Sequence, residues 1–363
     1  MKGENIKVLV GLSGGVDSTV AALLLKEQGY DVIGATMKIW GKDGMAAKSG
    51  HKDACYGPDE VESIEEAGKI AERLGIPYHV IDCIEKYESI VLENFKSEYK
   101  NGRTPNPCVW CNSYVKFGAL PDMARAMGIE YDKFATGHYA GVGINETNGR
   151  YQLIRGVNPK KDQSYFLYRL KQEQLANVIL PLGKYTKEEI RSIAKNNGLE
   201  VADKPDSQDF YGGDYNELLN FEEKEGNIVN PEGKILGKHK GFWNYTIGQR
   251  KGLGVSASEA LYVLELRKDT NEVVVGFADK TFNKSLIANN LNWVSIEGIT
   301  ESTRAQAKIR STQQPVDVTL IPHGDSVEVV FDDLQKSIAI GQSAVFYNGN
   351  VVLGGGIIDQ VLN

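Results

Sequence analysis

The stretch VLVGLSGGVDSTVAALLLKEQGY, residues 8–30, decides the fold of the N-terminal part of this 363-residue chain. Its apolar beginning predicts a buried strand, and the apolar spacing over 16–28 predicts a helix. The turn between them is SGGVDS, residues 13–18, where Gly14 and Gly15 let several backbone N–H groups converge on one anion. A strand, a glycine-rich turn and a helix in this order are typical of a phosphate site at a helix N-terminus.

The turn differs from the two common nucleotide loops. It lacks the lysine of G-x-x-x-x-G-K-[ST], and it does not match G-x-G-x-x-G. It resembles the pyrophosphate loop of the PP-loop ATP pyrophosphatases, which bind ATP and release pyrophosphate while they adenylate a substrate. In this interpretation the loop holds the phosphates of ATP, and Asp17 binds a Mg²⁺ ion that also contacts them. The alternative for SGG alone is an ordinary capped turn.

Strand-like and helix-like segments alternate through the first half of the chain. The strand-like runs are KVLVGL, DVIGATMKI, PYHVIDC and KFATGHYA, and helical patterns cover 16–28, 60–74 and 115–127. A further helix is predicted over 186–199, with Thr186 as the N-cap of a capping box. Such alternation predicts a parallel sheet with helices on both faces and with ligands at the carboxyl ends of the strands.

The pattern changes after about residue 211 to short β-like runs bounded by turn residues. We therefore predict an α/β PP-loop domain with a parallel sheet over 1–211, a small central domain over 212–283 and a C-terminal β-barrel over 284–363. Neither a membrane span nor a secretory signal is expected from the sequence, which places the protein in the cytoplasm. The net charge of −7 means that nucleic-acid binding would depend on local basic patches.

The second informative stretch is GRTPNPCVWCN, residues 102–112. Its prolines predict an extended loop, and Cys111 is expected near the N-terminus of the helix over 115–127, where the dipole favours thiolate. Two buried apolar side chains are the alternative for Cys108 and Cys111. A four-thiolate zinc site would need a second pair, which the four cysteines of the chain do not supply in this pattern. Cys83 is expected in the core.

Several motifs in order along the chain resemble those of the tRNA-specific 2-thiouridylase (MnmA) family. They are GLSGGVDS, Met37, GRTPNPCVWCN, ATGHYA, KKDQSYFLYRL, KPDSQDF, NYTIGQRKGLG, LYVLEL and GQSAVFY. The resemblance covers almost the whole chain. It implies a PP-loop domain, a small central domain and a β-barrel, and ATP-dependent 2-thiolation of the wobble uridine of tRNA with release of AMP and pyrophosphate.

The resemblance also implies roles for individual residues. The implied ATP-binding residues are Gly11, Leu12, Ser13, Gly14, Gly15, Val16, Asp17, Ser18, Met37 and Gly137. Cys111 matches the nucleophilic cysteine of the family. The residues implied to contact tRNA are Asn106, Pro107 and Cys108 at the target base, His138, Lys161, Asp162, Gln163, Arg310 and Ser311 elsewhere, and Gln342 beside the target nucleotide.

The chain departs from the family pattern at two positions. The second catalytic cysteine of the family is expected at Tyr211, and no cysteine follows Cys111 in the sequence. Cys108 stands where many relatives carry Asp. Two interpretations remain open: Cys108 and Cys111 share a persulfide relay, or these two thiols and Cys55 bind a [4Fe–4S] cluster with one iron left open for sulfide.

The implied partners are the anticodon loop of tRNA and a sulfur donor, either a cysteine desulfurase, a relay protein or free sulfide. Two basic patches are candidates for tRNA contact, unless they are ordinary solvated charge. They comprise Lys234, Lys238, His239, Lys240, Arg250 and Lys251 with Trp243 and Tyr245, and Arg304, Lys308 and Arg310. The alternative functions are a PP-loop amidotransferase or ligase that adenylates a small metabolite, and a non-catalytic tRNA-binding relative.

Overall fold

The computed structural model describes residues 6–41, 54–204 and 209–362. Its first sheet has five parallel strands, in the spatial order Tyr78–Asp82, Asp31–Lys38, Lys7–Gly11, Lys133–Ala135 and Val178–Ile179. The apolar strand Lys7–Gly11 lies at the centre, where Val8, Leu9 and Val10 are fully buried. The predicted α/β parallel-sheet domain is therefore confirmed.

Helices pack on this sheet, and those predicted over 16–28, 60–74 and 186–199 lie close to the predicted bounds. The main ones are Val16–Glu27, Glu60–Leu74, Ile84–Tyr87 continuing through Glu93–Lys100, and Lys187–Asn196. Short helices are Ser164–Leu167, Gln172–Ala176 and Tyr215–Leu219, and short 3₁₀ turns are Pro181–Lys184, Glu200–Asp203, Phe242–Asn244 and Ala278–Thr281. The capping box is present, because Thr186 and Glu189 each bond the backbone N–H of the other.

The helix that carries the cysteine pair begins earlier than predicted. Its first turn is Pro107–Trp110, and it continues as a π-helical segment, Cys111–Ala119, and an α-helical end, Leu120–Ala126. Pro107 occupies the first helical turn, where its missing N–H has no intrahelical partner to lose. The expectation of an extended loop up to Cys111 is therefore wrong, since the helix starts four residues before this thiol.

Two smaller sheets follow. The middle part of the chain forms a four-stranded sheet in the order Ile235–His239, Gly226–Val229, Glu272–Gly276 and Tyr262–Arg267. A separate two-stranded parallel sheet pairs Ala54–Tyr56 with Asp209–Tyr211. Cys55 thus lies in a strand beside the strand that ends at Tyr211.

The C-terminal part closes into a six-stranded barrel, which confirms the predicted β-barrel. Its strands are Phe282–Trp293, Ser326–Lys336, Val316–His323, Thr303–Lys308, Ser343–Asn348 and Val351–Leu362, and the first and last of these pair with each other. A hairpin of the first domain, Ala140–Ile144 and Tyr151–Arg155, extends the same sheet by pairing with the last strand. This junction was not predicted from the sequence.

A buried charge cluster stabilises this junction. The Asp162 carboxylate is fully buried and accepts hydrogen bonds from the backbone N–H groups of Gly156 and Ser164, both at 3.1 Å. Arg155 Nε lies 3.4 Å from this carboxylate, and Nζ of the barrel residue Lys308 lies 3.9 Å from it. Burial lowers the pKa of Lys308, and the charge of Asp162 opposes that shift.

Replacement of Asp162 by Ala is expected to lower the free energy of unfolding by about 3–5 kcal/mol, because it leaves buried cations without their counter-charge. Denaturant unfolding followed by tryptophan fluorescence measures this loss. The control is Asp269→Ala, which removes an exposed carboxylate. A loss below about 1 kcal/mol in Asp162→Ala would show that the cluster does not stabilise the junction.

Within the described ranges, the structure has no helix that is both long enough and apolar enough to cross a membrane.

Candidate active site

The loop after the central strand has the conformation of an anion-binding turn. Gly14 adopts φ +71°, and a Cβ added there would lie 2.8 Å from the Ser63 carbonyl oxygen. Ser18 Oγ accepts a hydrogen bond from Ser13 N at 3.1 Å and thereby closes the turn. The helix Val16–Glu27 begins directly behind it, with Gly15 as an N-cap that provides no side-chain hydrogen bond. Backbone N–H groups and a positive dipole end therefore remain for an anion.

A second segment packs directly against this loop. Thr136–Tyr139 follows the strand Lys133–Ala135, and a Cβ added to Gly137 would lie 2.6 Å from the carbonyl carbon of Asp17 and 2.7 Å from Ser18 N. Gly137 is thus required for close approach of the two backbones. The structure brings the predicted ATP-binding residues Gly11–Ser18 and Gly137 together, whereas Met37 lies half-buried near the end of the neighbouring strand.

Asp17 is already bonded on both of its carboxylate oxygens. Lys187 Nζ donates to Oδ1 and Oδ2, each at 2.8 Å, and Tyr139 OH donates to Oδ1 at 2.7 Å. In this arrangement Asp17 does not fit the predicted role of a Mg²⁺ ligand, because the cation beside it is an ammonium group.

The loop before the cysteine pair lies against the barrel. Gln342 Nε2 donates to Pro105 O at 2.7 Å, and Thr104 N donates to Ile340 O at 2.8 Å. Asn106 is buried and its Oδ1 accepts from Val109 N at 3.4 Å, so it caps the helix. Gln342 therefore contacts the loop that leads into Asn106, Pro107 and Cys108, residues which the resemblance places with Gln342 near the target nucleotide.

Cys108 and Cys111 are half-buried on one helix and pack against the same apolar cluster as Met37. Burial raises the pKa of Cys108 to about 12 and that of Cys111 to about 11. Lys116, in the same π-helical segment, opposes both shifts. The prediction that Cys111 is favoured as thiolate at a helix N-terminus is therefore wrong, since burial outweighs any dipole effect four residues into the helix.

The pKa of Cys111 predicts slow alkylation at neutral pH, because the thiolate is the reactive form. From pH 7.5 to 10 the rate constant should rise about tenfold per pH unit, since the thiolate fraction grows in that proportion below the pKa. Peptide-resolved mass spectrometry after iodoacetamide treatment measures each thiol, and the exposed Cys55 serves as the internal comparison. A plateau for Cys111 below pH 9 would contradict the raised pKa.

The iron–sulfur interpretation requires three converging thiols. Cys55 raises the pKa of both Cys108 and Cys111, so its charge acts on them. Within the parts of the chain that the structure describes, however, no three His, Cys, Asp or Glu side chains are arranged to hold a metal ion. The three thiols therefore do not fit a cluster in this arrangement, and no step is assigned to one. Cys83 is 1% exposed, which confirms it as a core residue.

The phosphate loop Gly11–Ser18 and the helix that carries Cys108 and Cys111, here called the thiol helix, lie at the same carboxyl edge of the sheet. His138, which follows the Gly137 contact, has its ring 5.6 Å from that of Phe117 in the thiol helix. Cys83 follows the strand Tyr78–Asp82, and its pKa is raised mainly by burial and also by the charge of Asp82 and by the charge of Cys111. The segment Thr136–Tyr139 thus bridges the loop and the helix.

The residues implied to contact tRNA fall into two groups, those exposed at the surface and those buried. Arg310 is exposed, while Ser311, Lys161 and Gln163 are partly exposed, which suits a surface contact. Asp162 is buried in the junction, so its predicted contact with tRNA is wrong. His138 is 8% exposed, and its Nδ1 lies 2.8 Å from Thr136 Oγ1. Burial lowers the pKa of His138 well below its usual value, so this ring is neutral at pH 7.

Both predicted basic patches lose much of their free charge. Lys238 pairs with Glu225 at 2.6 Å, and Lys240 pairs with Glu223 at 3.0 Å. His239 is buried, and burial lowers its pKa. In the second patch, Arg304 pairs with Asp332, and Lys308 is buried against Asp162. The interpretation as ordinary solvated charge is therefore the better one for Lys238, Lys240 and Arg304.

Two features of the site were missed from the sequence. Lys187 is 5% exposed and contacts the phosphate loop from the first turn of another helix. Its position was itself a signal, because a cation is disfavoured at a helix N-terminus unless an anion lies close by. The second feature is a stack beside Cys111, where the Trp110 and Tyr114 rings lie 5.4 Å apart and Arg169 lies 5.2 Å from the Trp110 ring.

Three family models match successive parts of the chain. They are described as a tRNA methyl transferase HUP domain over 6–211, a tRNA methyl transferase PRC-barrel domain over 218–277 and an aminomethyltransferase β-barrel domain over 283–358. The tRNA-specific 2-thiouridylase MnmA of Endomicrobium trichonymphae is 51% identical over 97% of this chain and 99% of its own length. The chain belongs to the tRNA-specific 2-thiouridylase family.

Further members of the 2-thiouridylase family match at similar coverage. The MnmA of Clostridioides difficile (strain 630) is 44% identical over 99% of both chains. The MnmA of Clostridium botulinum (strain Alaska E43 / Type E3) is 45% identical over 98% of both. Membership in this family, whose first domain is of the HUP type, implies ATP use and a tRNA substrate.

Proposed function

We propose that this 2-thiouridylase adenylates O2 of the wobble uridine in the anticodon loop of tRNA and then transfers sulfur to C2 through Cys111. The observation that carries the proposal is the convergence of three segments at one edge of the sheet. Loop Gly11–Ser18, segment Thr136–Tyr139 and the helix of Cys108 and Cys111 meet there, and the barrel residue Gln342 contacts Pro105 in the loop that leads into this helix.

The first step is activation of a poor leaving group. Uridine O2 attacks the α-phosphorus of ATP, and pyrophosphate leaves against the backbone N–H groups of the loop around Gly14 and Gly15. The dipole of the helix Val16–Glu27 favours the negative charge of that leaving group. The uridine must leave the anticodon stack for this reaction, as other enzymatically modified bases do.

The second step is sulfur transfer within the cysteine pair. A persulfide-bearing donor transfers its outer sulfur to Cys111 and is left as the donor thiol, and the terminal sulfur of the Cys111 persulfide then attacks C2 while AMP departs with the former O2. The Cys108 thiol then attacks Cys111 Sγ, which releases 2-thiouridine and leaves a Cys108–Cys111 disulfide. A dithiol reductant restores both thiols. Residues three apart on a helix are neighbours, so a small adjustment brings these two sulfurs together.

In this mechanism the chain is a variant that lacks the second catalytic cysteine of its family, since no cysteine follows Cys111 in the sequence. Tyr211, at the corresponding place, is 4% exposed and donates its hydroxyl to Glu217. Burial, followed by the effect of Glu217, raises the pKa of Tyr211, so it supplies no nucleophile at neutral pH. Cys108 is the thiol that takes over the relay in this account.

The proposal is tested with purified protein, ATP, an anticodon stem–loop RNA and a persulfide donor. Nucleoside mass spectrometry should detect 2-thiouridine, and formation of AMP should match it one to one. ATP turnover that requires a small amine or carboxylate rather than RNA would favour the amidotransferase alternative. Tight RNA binding without any thiolation would favour a non-catalytic binder. Iron and acid-labile sulfide in anaerobically purified protein would support the cluster interpretation over the dithiol one.

A further inference from the structure

Lys187 and Asp17 form a charged pair inside an anion site. Lys187 Nζ lies 2.8 Å from both oxygens of Asp17, and the Lys187 and Asp17 side chains are 7% and 30% exposed. Tyr139 OH holds the same carboxylate at 2.7 Å, and Lys187 Nζ lies 5.9 Å from the Tyr139 ring centre. Lys187 is the first residue of the helix Lys187–Asn196, which packs against the phosphate-loop helix Val16–Glu27. Its side chain thus lies at the contact between the two helices.

The pair resolves an electrostatic conflict in the loop. Asp17 lies in the first turn of the helix whose N-terminus would receive the triphosphate, and a carboxylate there repels an anion. Lys187 lies in the first turn of its own helix, where the helix dipole disfavours a cation. Each charge is therefore unfavourable alone, and the two compensate each other at direct contact.

We propose that Lys187 is a positioning residue of the nucleotide site, which neutralises Asp17 and so makes the lysine-free loop receptive to a triphosphate. This inference rests on the proposed use of ATP at this loop. It assigns the cation that the loop sequence lacks to a helix some 170 residues further along the chain. In this inference, the role of Asp17 is to form an ion pair with Lys187 rather than to bind a metal ion.

The two roles of Asp17 differ in what happens when its charge is removed. If Asp17 is only the partner of Lys187, Asp17→Asn leaves a cation beside the phosphates, and ATP binds as tightly as before or more tightly. If Asp17 binds the metal of Mg²⁺–ATP, the same change weakens binding. Lys187→Met leaves an uncompensated carboxylate and should weaken ATP binding on the order of 10- to 100-fold.

The decisive variant is the double change Asp17→Asn with Lys187→Met, measured by calorimetric titration with ATP in the presence of Mg²⁺. We expect it to recover affinity to within about threefold of the unmodified chain, because both charges are gone. Lys187→Arg should bind ATP nearly as well as the unmodified chain. Lys195→Met, which removes an exposed lysine from the same helix, is the control for helix integrity.

Two results would overturn the inference: weaker ATP binding by Asp17→Asn, or a double variant that binds no better than Lys187→Met. Asp17→Asn keeps a side-chain oxygen that can accept the hydrogen bond from Lys187 Nζ, so it is the more conservative change and remains informative even if Lys187→Met fails to fold. Failure of the proposed function is distinguishable, because it appears as absence of 2-thiouridine from reactions of the unmodified chain. The ATP affinities of the variants are measured without RNA or sulfur donor.

Discussion

Replacement of Cys111 by Ser is expected to abolish 2-thiouridine formation, with a loss of at least about 10³-fold in the single-turnover rate. The serine hydroxyl has nearly the shape of the thiol, but it forms no persulfide. ATP binding should be unchanged within about twofold, because Cys111 lies on the helix that packs on the far side of the bridge Thr136–Tyr139 from the loop. Nucleoside mass spectrometry and calorimetric titration with ATP measure the two effects.

Cys83 is the matched control for this change. It lies in the core and is 1% exposed, whereas Cys108 and Cys111 are only half-buried, so Cys83 is not accessible to RNA or to a sulfur donor. Cys83→Ala should retain thiolation within about threefold if the fold is kept. Cys108→Ser should lose turnover as Cys111→Ser does. Full activity of Cys108→Ser would show that the resolving thiol lies elsewhere in the chain.

Replacement of Gly137 by Ala is expected to weaken ATP binding on the order of 100-fold and to reduce thiolation in proportion. The added methyl group would lie 2.6 Å from the carbonyl carbon of Asp17 and 2.7 Å from Ser18 N. Backbone atoms cannot rotate away as a flexible side chain can, so the loop or the bridging segment must shift. A shift of either one disturbs the N–H groups that face the phosphates.

Gly57→Ala is the control for this glycine. A Cβ at Gly57 would meet no heavy atom within 4 Å, and its φ is not in the left-handed region. We expect this variant to bind ATP and thiolate RNA as the unmodified chain does. Unchanged ATP affinity in Gly137→Ala, together with an unchanged melting temperature, would show that the close contact between the bridge and the loop does not serve nucleotide binding.

The sequence predicted those features of the fold that local patterns determine. The apolar run before SGGVDS and the spacing after it gave the central strand and the helix Val16–Glu27, and the helix Glu60–Leu74 has the predicted bounds. Gly75, directly after the helix Glu60–Leu74, is its C-cap and adopts φ +61°. Each of these features depends on residues close together in the chain, so propensity and periodicity suffice to predict them.

The features that the sequence did not predict depend on distant contacts. Asp162 was expected at the tRNA surface, but its buried position depends on Lys308, a residue 146 positions later that lies 3.9 Å away. The reactivity of Cys111 was judged from a helix dipole, whereas burial by surrounding elements sets its pKa. Lys187 showed only a local anomaly, and its partner Asp17 could not be identified before the two helices were seen together.

The central claim is that ATP cleavage activates the uridine carbonyl oxygen, which sulfur then displaces. A stem–loop RNA with ¹⁸O at O2 of the target uridine tests it directly in a single-turnover reaction with ATP and a persulfide donor. The account predicts that the AMP released carries one ¹⁸O atom, because the C2–O2 bond breaks and O2 leaves on the phosphate. Unlabelled AMP alongside newly formed 2-thiouridine would contradict it.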